Sequence, residues 1–146
     1  MAAEENFVAW YESAWIDVYR RGESEGLDSL SEEDRVLFLA GYVIDRLAGG
    51  GVEMLYANPS GAYATRMVDA LTKIGATKAA QVLSEINQMF PGGEPARDDE
   101  VRERQMAKLP RKVRAKEREL ERLFDEWMPN DGERVMLTQL YRYCHP

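Results

Sequence analysis

The sequence predicts an all-α fold: a compact single-domain bundle of about seven to eight helices over residues 1–146. Apolar residues recur at the i, i+3, i+4 spacing of a helix along nearly the whole chain, and no stretch alternates as a strand does. Glycines, prolines and turn residues interrupt that pattern at helix-length intervals. With 45% hydrophobic residues among 146, the chain can bury one core without staples. Its only cysteine, Cys144, permits no internal disulfide, which fits a reducing compartment.

In the first helix Phe7, Trp10, Tyr11, Ala14, Trp15, Val18 and Tyr19 form an unbroken aromatic stripe, read as core, with Gly22 and Gly26 bracketing its end. Ser31 is placed to N-cap a second helix, and Glu32, Glu33 and Asp34 complement its dipole. That helix is apolar on nearly every side from Val36 to Leu47, the mark of a central one, with Asp45 and Arg46 as charges near its end. Gly49, Gly50 and Gly51 stop it. Val52, Leu55 and Tyr56 make a short amphipathic piece closed by Asn58 and Pro59.

Ser60 is expected to cap the next helix, with Tyr63, Met67, Ala70, Leu71 and Ile74 inward and Gly75 at its left-handed C-terminus. Thr77 begins another, with Ala79, Val82, Leu83, Ile86 and Phe90 inward, ended by Pro91-Gly92-Gly93. Residues 94–100 are a polar connector, followed by a weak helical face of Val101, Gln105, Met106 and Leu109. From Lys108 to Arg118 six basic residues face one acidic residue, and the acidic run after them predicts a solvated helix laced with i, i+4 pairs, anchored by Val113, Leu120, Leu123, Phe124 and Trp127. Residues 129–132 form a turn before a last helix with Met136, Leu137, Leu140, Tyr141 and Cys144 inward.

The net charge of −7 is unevenly spread: residues 1–60 hold 12 acidic and 4 basic side chains, whereas residues 97–146 hold 11 and 12. Such an N-terminal field opposes nucleic acid and favours basic partners. No apolar run approaches the roughly 20 residues of a membrane span, and the acidic N-terminus lacks the plan of a secretory signal, so a cytoplasmic location is expected.

Chemistry is poorly represented. The glycine triplet has no preceding strand and no following Lys-Ser/Thr pair, so it is no phosphate loop. The only histidine, His145, adjoins Cys144, too few ligands for a zinc site; no metal and no cofactor is expected. No nucleophile–base pair is recognisable, and the protein is read as not an enzyme.

The motifs do carry a resemblance. Leu27, Leu30, Ser31, Glu32 and Arg35 match a leucine-then-serine helix start; Gly50, Gly51, Asn58, Ser60, Gly61 and Tyr63 match a glycine turn and an Asn-Ser-Gly step. Ile74-Gly75-Ala76 and Phe90-Pro91-Gly92-Gly93 match two helix ends. Over residues 27–145 the chain resembles a family of small all-helical bacterial proteins named for its DNA-mimic member, from which it departs at Gly49, where the pattern has asparagine, at Val52, where it has an aromatic residue, and by the insertion of Pro59.

The resemblance implies an acidic surface that imitates the phosphate array of DNA and occupies the site of a basic DNA-binding protein. The carboxylates available for it are Glu4, Glu5, Glu12, Asp17, Glu23, Glu25, Asp28, Glu32, Glu33 and Asp34. The alternative is an immunity or anti-defence protein that blocks an effector by shape, through an apolar surface or through the basic run Arg111–Arg118. A third reading, an enzyme, would use a pocket near the glycine turn with Asp45, Arg46, Asn58 and Tyr63. Direct nucleic-acid binding ranks last, and a homodimer is the assembly that base rates favour.

Overall fold

The computed structural model describes residues 2–57, 59–126 and 132–146, with side chains for 9–57, 59–123 and 138–146. Eight α-helices follow one another: α1 (Ala2–Glu25), α2 (Glu32–Gly50), α3 (Val52–Ala57), α4 (Ala64–Lys73), α5 (Thr77–Gln88), α6 (Asp99–Ala107), α7 (Val113–Glu126) and α8 (Gly132–Cys144). Single 3-10 turns occupy Leu27–Ser29, Pro59–Tyr63 and Pro91–Gly93, and no strand occurs among the described residues.

The centre is α2. Every residue from Val36 to Ile44 is buried, because α1, α3, α4 and α8 all pack against it. Its start is fixed as expected: the Ser31 hydroxyl accepts the Asp34 N–H at 3.2 Å. It runs through two of the three glycines and ends where Gly51 takes φ 84°.

The aromatic stripe of α1 is core. Tyr11 donates its hydroxyl to the Gly41 carbonyl at 3.2 Å, and the Trp15 indole lies so close to Gly41 that a Cβ there would overlap it. The helix passes through Gly22, packed against the Phe38 ring, and stops only at Gly26 (φ 91°). Phe7 lies outside the described side chains.

α4 and α5 form a hairpin turned by Gly75 (φ 90°), with the Ala76 N–H returning to the Leu71 carbonyl at 2.9 Å. α7 then packs on α5 through Val113 and Leu120, and Leu140 of α8 is fully buried. Asn58, Phe124, Trp127, Met136 and Leu137 lie outside the described side chains.

Two elements differ from expectation. Ser60 caps no helix: it is buried and donates its hydroxyl back to the Leu55 carbonyl at 3.1 Å, while Tyr63 stands at the α4 N-terminus without a side-chain cap. The 3-10 turn explains this, since it occupies the five residues immediately before α4. In α6 the inward residue is Arg102, only 1% exposed, whereas Val101 faces solvent.

Candidate functional site

Several of the N-terminal carboxylates pair with cations of α1 and α4. Arg21 of α1 bridges Asp17 and Asp34, each at 2.9 Å. Asp28 pairs with Arg66 at 2.8 Å, and Glu32 pairs with Lys73, both cations coming from α4. Glu23 accepts the Tyr42 hydroxyl at 3.2 Å. Glu12, Glu25 and Glu33 are exposed and have no partner among the described residues. The side chains of Glu4 and Glu5 lie outside the described residues.

These pairings set the local titration. The Lys73 hydrogen bond, then its charge, holds the Glu32 carboxyl below its ordinary value, and Glu32 in turn raises Lys73. Arg21 is raised by its bonds to Asp34 and Asp17. Burial, with Glu23 behind it, pushes the Tyr42 hydroxyl far above its usual range. Beside this region the α8 end packs on α1: His145 stacks on Tyr141 at 4.0 Å, and both rings meet Trp10 edge-on at 5.2 Å. Burial, then Glu33 and Asp34, pushes the Cys144 thiol up to about 12.

The motif residues build the frame. A Cβ on Gly61 would overlap Arg102 Nε and the Tyr56 carbonyl. Arg102 donates from Nε to that carbonyl at 2.7 Å, from one terminal nitrogen to the Ala96 and Arg97 carbonyls at 2.9 and 3.2 Å, and from the other to Asp99 at 2.6 Å. Nearby the Tyr56 hydroxyl donates to Asn87 Oδ1 at 2.6 Å, and Asn87 Nδ2 donates to the Ala64 carbonyl at 3.1 Å. Gly51 sits against Glu121, which accepts the Val52 N–H at 3.2 Å. Gly49 and Gly50 are exposed, and Gly75 shapes the hairpin.

Sequence reasoning missed Arg102 and Asn87. The one available signal was Gly61, whose lack of a side chain leaves room for a guanidinium.

A cleft of about 660 Å³ opens beside this frame, with Leu27, Tyr63, Pro91, Pro95 and Ala96 as its apolar walls and Asp28, Arg66, Glu94 and Arg97 as charged groups of both signs. Tyr63 lines it, but Asp45 and Arg46 do not; they pair with each other at 3.7 Å, and Arg46 lies over the Tyr42 ring. Asn58, the remaining polar group of the enzyme reading, lies outside the described residues. No group of three or more metal-ligating side chains occurs among the described residues.

The basic run is solvated as expected, while Asp125 and Glu126 lie outside the described side chains. Among the described residues Lys116 forms pairs there, with Glu85 at 2.6 Å and Glu119 at 3.3 Å. Lys108, Arg111, Lys112, Arg114, Arg118 and Arg122 are exposed and without an ion pair among the described residues. The described carboxylates of the same helix are half-buried: Glu121 holds the Val52 N–H, and burial followed by the charges of Glu53 and Glu121 raises Glu117.

Among known proteins, a family model described as DMP19-like protein matches residues 28–145. No curated protein and no solved structure matches the chain.

Proposed function

The chain belongs to the DMP19-like protein family, and from that premise we propose that it is a non-enzymatic inhibitor that occupies the DNA site of a basic DNA-binding protein. The observation that carries this reading is the gathering of carboxylates at the meeting of α1, α2 and α4 on a frame of this family. A DNA-binding protein presents Lys and Arg to a line of phosphates, and carboxylates on rigid helices meet the same cations without any base code.

The internal ion pairs do not disqualify these groups. Exposed pairs contribute roughly 0–1 kcal/mol each, so a partner's cations can displace Arg21, Arg66 or Lys73 at small cost. Glu12, Glu25 and Glu33 are available without displacement.

The test immobilises the protein, passes nuclease-treated lysate over it and elutes with rising salt. A DNA-binding protein released by salt, and competed off by added duplex, is the expected result. Binding should weaken and lose salt dependence in the Glu12→Gln, Glu25→Gln, Glu33→Gln variant, which leaves the Ser31 cap and the described ion pairs in place. An identified partner bound equally well by that variant, and by one that also neutralises Asp28, Glu32 and Asp34, would overturn the carboxylate reading.

The cleft favours a second reading, inhibition of an effector by shape. Its apolar walls and mixed-sign rim have the anatomy of a protein contact. Binding indifferent to salt and to the carboxylate substitutions, but lost when Ala62→Trp fills the cleft, would establish it.

A further inference from the structure

We propose that the outer face of α7 is a binding surface for the phosphate backbone of duplex nucleic acid, separate from the carboxylate region. Arg114, Arg118 and Arg122 recur every four residues, so they fall on one side of the helix, about 6 Å apart along its axis. Arg111 and Lys112 extend the row in the turn before the helix, and all five side chains are exposed without an ion pair among the described residues. Guanidinium groups in such a row offer bidentate donors to successive phosphate oxygens.

Among the described carboxylates of α7, Glu119 pairs with Lys116 of the same helix, Glu121 accepts the Val52 N–H, and Glu117 is half-buried beside Glu53 and Glu121. The arginines of the row are left exposed.

The overall charge of −7 opposes a polyanion only at long range. At physiological salt the Debye length is about 8 Å, and α7 packs on α3, α5 and α8 rather than beside the carboxylates of α1 and α2. The local field decides.

Two further observations select the occupant. A protein partner would need an apolar anchor at the centre of the contact, yet the exposed large hydrophobic residues among those described are Ile16, Met54 and Val101, none on α7. A single strand would need an aromatic platform for its bases, and the described side chains that line this face beside Arg118 and Arg122 are Ala115 and Glu121. What remains is sequence-independent contact with a duplex backbone. This inference uses different side chains on a different element from the proposed inhibition, and either can fail without the other.

The experiment titrates the intact protein into short fluorescein-labelled duplexes of two unrelated sequences and follows anisotropy. Both should bind alike, and affinity should fall roughly a hundredfold between about 50 and 200 mM salt, as three to four neutralised phosphates require. The variant Arg114→Gln, Arg118→Gln, Arg122→Gln should lose at least tenfold in affinity and most of the salt slope. The variant Arg20→Gln, Lys78→Gln, Arg142→Gln, equal in charge but off the ridge, should keep both. Circular dichroism checks the fold of each. Absence of duplex binding at the lower salt, or equal loss in the two variants, overturns the proposal. So does tighter binding of labelled poly-L-glutamate than of duplex, which would assign the ridge to an acidic protein segment.

Discussion

At the scale of single residues, Arg102 has the largest structural role that no pattern announces. Its guanidinium fastens α3, through the Tyr56 carbonyl, to the connector, through the Ala96 and Arg97 carbonyls. Replacing it with leucine strands three acceptors in a closed space and should cost roughly 3 kcal/mol in chemical denaturation. Gly61→Ala should cost about 1–3 kcal/mol through overlap. The two changes should not add, because losing Arg102 removes one of the two groups that Gly61 accommodates. A double-mutant cycle that sums to zero coupling would refute the contact. Cys144 gives a second residue-scale test: a thiol pushed up to about 12 stays protonated at neutral pH. Alkylation by iodoacetamide at pH 8 should run on the order of a thousandfold slower than for an unperturbed cysteine, and Glu33→Gln should quicken it.

Among the elements, the legibility of each helix followed the chemistry of its inward face. The stripe of α1, the all-round apolarity of α2 and the faces of α4 and α5 were readable because aliphatic and aromatic side chains carry the period themselves. The α6 face was not, since its one buried side chain is an arginine. Its carbonyl partners are two in the irregular connector and one at the end of α3, 46 positions away in sequence. Ser60 misled for a related reason: a serine before a helical run signals a cap, but here a 3-10 turn intervenes and the hydroxyl folds backward. The α7 helix yields a prediction on pH. Its Glu117 carboxyl is raised, by burial first and then by Glu53 and Glu121. The folded state thus holds this proton more tightly than the unfolded chain does. The group favours folding most below its unfolded value, and that contribution is lost as pH rises through the folded value. Glu117→Gln should therefore stabilise the protein at pH 7 and change little at pH 4 in thermal melts. The opposite ordering would contradict the geometry.

For the whole molecule, charge counting along the chain gave the acidic N-terminal part but not its internal partners, because Arg66 and Lys73 reach it from α4. The pairing of Lys116 with Glu85 was equally invisible, since it joins α7 to α5. The family frame itself was legible, and among its motif glycines Gly51 and Gly75 mark turns and Gly61 a close approach. The carboxylate exchange proposed above predicts at this scale that the protein's melting temperature changes little with salt, because pairs worth so little leave the core to dominate. A steep loss of stability at high salt would show that the ion pairs hold the fold. The meeting of Trp10 with Tyr141 and His145 has a consequence for synthesis. α1 and α8 are neighbours, so the ring-rich helix made at the outset waits for nearly the whole chain before one flank is covered. A nascent chain halted before α8 emerges should stay sensitive to protease at α1 while α4 and α5, whose partners are local, are already protected.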